Sequence, residues 1–433
     1  MNRKVLQLAI PNIISNLSVP LLGAVDTALV GHLDEVYYLG AIALGGMIFN
    51  FIFWGFGFLR MGTTGITAQA FGEENKTESV MTLVRALFVA GLFSFLILLL
   101  QVWIADLSFW LVEASPEVEH YTRIYFNIRI FTAPATLGLY AINGWFLGMQ
   151  NARYPMIVTV VLNVLNIVLD VFFVYSLDMH VDGVAWGTLI ARYVGLILAV
   201  VLLVVKYRGW LKAYVREKLL ELEPIQKFFS VNRDIFIRTL CLIFTFSFFT
   251  AKSAEFGNVI LAANTILLQL WMMVSYGIDG FAFAAESLIG RYKGSGEKGK
   301  LKKAVGYCFF WGIGIGFAAS LVYALFDIPI LKIFTDQQEV IETALVFWAW
   351  TIAGPAVSSF CYIWDGIFIG ATATVPMRNS MIIATILVFL PVYAIGVSFL
   401  GLGNHAIWLA LTLFMIARGV TLSAYAPRYI LKA

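Results

Sequence analysis

Polar residues interrupt this chain at wide intervals. Between them run twelve long, mostly apolar stretches, at about 6–32, 38–70, 81–105, 120–147, 155–177, 183–206, 233–254, 258–289, 304–327, 340–369, 377–399 and 402–427. A helix that crosses the hydrocarbon of a bilayer needs about 20 such residues. The stretches are continuously apolar instead of alternating, so they predict helices and not the strands of a barrel. The first is long and dotted with polar residues, unlike a cleavable signal peptide. The expected fold class is an all-α integral membrane protein with twelve transmembrane helices.

The longest polar connection, 207–232, divides the helices six and six. It predicts an amino-terminal lobe over 1–206, a linker over 207–232 and a carboxy-terminal lobe over 233–433. The two halves echo each other 222 residues apart. Gly144-Trp-Phe-Leu-Gly148 matches Gly366-Ile-Phe-Ile-Gly370, and Gly72 matches Gly294. Pro134 and Pro155 match Pro355 and Pro376 to within one residue. An even number of helices per half gives parallel repeats related by a pseudo-twofold axis along the membrane normal. Small-xxx-small pairs also occur simply to let helices pack closely; the shared offset lifts the set above that reading.

Composition agrees. The chain is 61% hydrophobic and 13% charged, against about 45–50% and about 25% for soluble domains. Three scattered cysteines, Cys241, Cys308 and Cys361, imply neither a disulfide framework nor a thiolate metal site. A net charge of +3 without a basic, aromatic-interleaved face excludes nucleic acid as a partner. Lys and Arg gather in alternate connections: Arg3 and Lys4, Lys76, Arg153, Lys206 to Lys227, Arg291 to Lys303, Arg378 and Arg428. The intervening connections hold acids instead, such as Asp106, Glu117, Asp178 and Asp336. By the positive-inside rule both ends are cytoplasmic and the protein lies in the inner (plasma) membrane.

The chemistry narrows by elimination. His32, His120, His180 and His405 fall at helix ends or in loops. The deep cations are Arg60, Arg129, Arg192, Arg238 and Arg418, and arginine is effectively never deprotonated. Carboxylates remain as switchable groups: Asp26, Asp170, Asp279, Glu286 and Asp365. An acid inside a span is costly and marks function or a static ion pair with a deep arginine. Asp26 sits midway along the first helix with Pro11 and Pro20, each of which removes a backbone hydrogen bond and favours bending. Asp170 shares a helical face with Asn166 and Asn163. Their counterparts 222 residues on, at positions 248, 392 and 388, are Phe248, Val392 and Val388, so ion coupling belongs to the first lobe. A desolvated carboxylate pair would titrate jointly as a proton site. The oxygens of Asp26, Asp170 and Asn166 could equally hold Na⁺. Asn143 and Asp365 are repeat equivalents just before the glycine motif and are expected to face a substrate cleft with Asn163. Trp145, Met149, Trp271 and Met272 are eligible as its apolar lining. No His-Glu-x-x-His or Gly-x-Ser-x-Gly motif argues for an enzyme.

Taken together, the six-plus-six repeat, the basic middle connection, Val25-Asp26-Thr27 on a proline-bearing first helix and Asn232-Arg233-Asp234 before the seventh resemble the multidrug and toxic compound extrusion (MATE) family of the MOP type, in its DinF-like branch. The resemblance covers nearly the whole chain. It implies a cation-coupled antiporter, working by alternating access, that exports amphipathic and often cationic organic compounds. It implies a first-lobe cation site of Asp26, Tyr125, Asn166, Asp170 and Thr188, no cofactor beyond the coupling ion, H⁺ or Na⁺, and a monomer among membrane lipids. A lipid-precursor flippase of the same superfamily is the other transporter reading. The acid that a NorM-like branch carries within its seventh helix is missing between Leu240 and Thr250.

Overall fold

The structure, a computed structural model, describes residues 1–30, 35–112 and 114–431, without the side chains of residues 24, 26–28, 30, 36, 219 and 220. Twelve helices among the described residues are long and apolar enough to cross a membrane. They are α1 (Asn2–Val30), α2 (Tyr37–Gly72), α3 (Lys76–Leu99), α4 (Pro116–Gly148), α5 (Arg153–Ser176), α6 (Val181–Leu211), α7 (Leu222–Glu255), α8 (Asn258–Gly294), α9 (Lys298–Leu325), α10 (Gln338–Gly370), α11 (Thr374–Ser398) and α12 (Asn404–Leu431). No strand occurs among the described residues. The lipid-facing sides are visible as exposed Phe88, Phe95, Val205, Phe310 and Phe317.

Two details depart from the sequence expectation. Of the 207–232 connection, α6 takes residues through Leu211 and α7 starts at Leu222. Leu222, Ile225, Phe228 and Phe229 recur at helical spacing and extend α7 beyond its spanning run. What remains is a short segment with a 3₁₀ turn at Arg216–Leu220, anchored by Arg85, which donates to the Lys218 carbonyl at 3.1 Å and pairs with Glu78 at 2.8 Å. Short helices, Gln101–Leu111 and Asp327–Phe334, also follow α3 and α9. Trp103 and Trp110 stand exposed on the first, as expected of rings at a membrane–water boundary.

The chain forms two compact units, one of residues 14–228 and one of residues 1–13 with 229–433. In the first, Trp145 packs edge-on against Tyr207 and beside Phe146, and its indole donates to the Ser79 carbonyl at 2.9 Å. In the second, Trp408 packs on Phe249 and Trp271. The start of α1 joins this second unit: the Trp311 indole donates to Asn2 at 2.6 Å, and Gly280 lies against the Ala9 carbonyl. The changeover, between Ile13 and Ile14, falls between Pro11 and Pro20.

The repeat is carried by backbone. A Cβ on Gly144 would sit 2.5 Å from the Arg60 carbonyl, and one on Gly148 2.9 Å from the Thr64 carbonyl, so α4 touches α2 directly. At the same offset, Gly366 lies on Ala282 and Gly370 on Glu286, joining α10 to α8. The turns repeat as well. Glu74 (φ 56°) corresponds to Gly296 (φ 69°), and Gln150 (φ 61°) to Thr372 (φ 50°). Each is closed by the same six-residue backbone bond, Asn75 to Ala70 and Glu297 to Tyr292, Asn151 to Phe146 and Ala373 to Phe368. Beside Gly296, the Glu297 carboxyl is held below the ordinary carboxylate range, first by its bond to Lys300 and then by Ser295.

These contacts leave no room for a side chain. Gly144→Val and Gly366→Val are each expected to destabilise the protein by about 1–3 kcal/mol, measured as a lower unfolding temperature in detergent. At Gly91 an added Cβ would meet nothing within 4 Å, and this position should accept alanine without that loss.

Candidate functional site

Helix α5 sorts its side chains cleanly. Asn163, Asn166 and Asp170 lie on one face and are 6%, 1% and 0% exposed, while Val164, Val168 and Val171 stand exposed on the other. Polar groups in a span turn from lipid toward protein, and this helix obeys that constraint. The Asn166 amide donates to Asp170 Oδ2 at 2.7 Å, one turn away. The Asn163 amide donates to Ser18 Oγ at 2.8 Å, which ties α5 to α1.

Asp170 meets α6 at Gly187, where a Cβ would collide with the carboxylate Oδ1. A carboxyl group is thus seated on bare helix backbone, a place that only glycine leaves open. Thr188, the next residue, is buried beside this contact. Asp26 lies on α1, but its side chain is outside the described residues, as are His32 and Asp34.

Tyr125 is buried on α4 with its ring against Gly45 of α2, and its hydroxyl accepts from Arg129 one turn on. The Arg129 guanidinium lies 5.0 Å from the centre of the Phe49 ring. Arg60 and Arg192 join Arg129 as half-buried cations in the same unit, on α2 and α6. Asn143 is half-buried on α4, and among the described residues its enclosed Oδ1 has no hydrogen-bond partner.

The repeat equivalent of Asn143 has a different setting. Asp365, 4% exposed on α10, pairs through Oδ2 with Arg418 of α12 at 2.5 Å and with Arg238 of α7. Asp365, which the sequence reading expects in a cleft, is held by two guanidiniums as an ion triad inside the second unit. Arg418 also donates to the Met415 sulfur at 3.1 Å. Glu286 is buried on α8, and Asp279 is half-buried on the same helix. Within α7, Asp234 of the Asn-Arg-Asp run is fully buried and accepts from Arg378 at 2.8 Å and Thr374 at 3.1 Å, which clamps α7 to α11. Trp145, Met149 and Trp271, eligible as cleft lining, are packed in the cores, and Met272 is half-buried. Among the described residues no cluster of His, Cys, Asp and Glu could hold a metal ion.

The comparisons with known proteins follow the same divisions. The MatE family model matches twice, over residues 11–172 and 235–395. The chain is 39% identical over 429 residues to DNA damage-inducible protein F of Escherichia coli, covering 98% of this chain and 91% of that protein. An outward-facing multidrug resistance MATE family transporter of the MOP superfamily has the same fold, with a TM-score of 0.90 at 21% identity over 100% of this chain and 96% of the other. So does a MOP superfamily transporter from Pyrococcus furiosus, with a TM-score of 0.90 at 20% identity over 100% and 97%. With its doubled six-helix plan and matches along both halves, the chain belongs to the MatE family of multidrug and toxic compound extrusion proteins and is a multi-pass membrane transporter, not an enzyme.

Proposed function

We propose that this transporter is a proton-driven antiporter that exports amphipathic organic compounds across the plasma membrane, with both chain ends in the cytoplasm and the proton carried by Asp170 together with Asp26. The observation that carries this reading is the setting of Asp170: fully buried, bonded to Asn166 and seated on the α6 backbone at Gly187. A group so enclosed changes its surroundings when it changes charge, because the ionised form needs polar partners and the neutral form does not.

Helix arithmetic supports a role for Asp26 beside Asp170. Helices α1 and α5 cross in the same sense, since three spans lie between them. The Ser18–Asn163 bond sets a common level. Eight residues on from Ser18 and seven on from Asn163, at about 1.5 Å each, the backbones of Asp26 and Asp170 reach nearly the same height. Tyr125 and Thr188 complete the set through the family resemblance. The α1 helix, whose first 13 residues pack with the other unit, is the element that bends, at Pro11 and Pro20. Protons load at the acidic outer face and leave inside, and each charge change biases which α1 conformation is stable. Asp365 takes no part in this exchange: with two arginines on one oxygen, losing its charge would leave two buried cations.

In cells lacking their own exporters, Asp170→Asn should reduce dye efflux to the level of an empty vector while the unfolding temperature stays near wild type. In proteoliposomes, a pH gradient should drive export, and a Na⁺ gradient at clamped pH should not; export driven by Na⁺ alone would assign the same oxygens to that ion. Asp365→Asn should behave oppositely to Asp170→Asn, costing about 3–5 kcal/mol of stability, read as a marked drop in unfolding temperature.

A further inference from the structure

The unit of residues 14–228 carries more fixed positive charge inside its spans than its acids can balance. Arg60, Arg129 and Arg192 lie within α2, α4 and α6, and the acids that the sequence places toward the middle of its helices are Asp26, on α1, and Asp170, on α5. Arginine keeps its proton. The excess is therefore one positive charge with both acids ionised and three with both neutral. At the repeat offset these arginines become Ala282, Thr351 and Phe414, so they are not required by the scaffold.

Contacts on three helices bring the arginines together. Gly144 rests on the Arg60 backbone, one turn along α4 from Tyr140. Gly138, on the same helix, meets Leu196, one turn along α6 from Arg192. The Tyr193 hydroxyl donates to the Phe131 carbonyl at 3.1 Å, which levels Arg192 with Arg129. Tyr140 accordingly lies in the fields of both Arg192 and Arg60, and Arg192 in those of Tyr140, Arg129 and Tyr125. Among the described residues, Arg129 and Arg192 make no ion pair. Among the described residues the Arg129 guanidinium bonds to the Tyr125 hydroxyl, and its enclosed Nε has no hydrogen-bond partner. All three arginines and Tyr140 are half-buried. A half-buried cation within a span faces a water- or ligand-filled cavity, not lipid.

We infer that Arg60, Arg129, Arg192 and Tyr140 form a binding site for the acidic head, carboxylate, sulfonate or phosphate, of an amphiphile whose apolar body lies along aromatic side chains such as Phe49. Guanidiniums recognise such planar or tetrahedral oxyanions with paired hydrogen bonds. A cationic head would meet like charge on three helices, and at these ranges each charge shifts affinity by about tenfold or more. This names the substrate class of the export reading above and rests on it for transport, though not for binding. It also reverses the cation preference that the family resemblance implies.

The test uses the full chain in nanodiscs of phosphatidylcholine, with 8-anilinonaphthalene-1-sulfonate as the anionic probe and ethidium as the cationic one. Saturable sulfonate binding should weaken by about tenfold or more in Arg192→Gln and in Arg129→Gln, and Arg192→Lys, which keeps the charge but not the paired hydrogen bonds, should fall between wild type and Arg192→Gln. Ethidium should bind these Gln variants as well as wild type, or better. Wild-type sulfonate affinity should also fall as NaCl rises from about 50 to 500 mM, a readout that needs no variant to fold. Displacement of the sulfonate by added phosphatidylglycerol would identify a lipid head as the occupant; its persistence would identify a free amphiphile. Sulfonate binding that is absent, insensitive to salt, or equal in wild type and both Gln variants overturns the site. Asp170→Asn should keep sulfonate binding while losing export, so export that survives in Asp170→Asn refutes the proton reading and leaves the anion site standing.

Discussion

An ionised side chain within a bilayer has to be compensated, because the hydrocarbon offers neither water nor a high dielectric. Much of the internal arrangement of this transporter follows from how that demand is met. In the second unit it is met statically: Asp365 sits between Arg238 and Arg418, and three helices are bound by charge. Elsewhere in the same unit, within α7, it is met the same way, with Asp234 between Arg378 and Thr374. In the first unit Asp170 meets the Asn166 amide and the α6 backbone at Gly187, and Arg129 meets a phenol and aromatic faces. Two halves built on one plan thus surround their buried charges with different partners.

The scaffold beneath is indifferent to that difference. Glycines at 144, 148, 366 and 370 let backbones meet at equivalent places in both halves. Side-chain chemistry can diverge around such contacts because they use no side chain on one partner. The asymmetry of acids and arginines is therefore not a breakdown of the repeat but something the repeat permits.

How much could be read beforehand depended on distance along the chain. The twelve spans were legible because each apolar run is continuous and local. The Asn163, Asn166 and Asp170 face was legible because three positions on one helix define it without any partner. The Asp365 triad was not, since its arginines lie 127 and 53 residues away on separate helices, and depth alone pairs no particular acid with a particular base. The Arg129–Tyr125 pair is one turn apart and could have been drawn from spacing. The extension of α7 into the polar connection was hidden because charged residues there mask an apolar stripe at helical period.

The left-handed turns have a consequence for ancestry. Glu74, Gln150 and Thr372 hold torsions that glycine would adopt with less strain, and only Gly296 has the permissive residue. Residue identity at these corners has drifted while backbone shape has not. Torsions thus preserve the memory of a duplicated ancestor where letters have lost it, and any alignment of one half upon the other is best pinned at these corners.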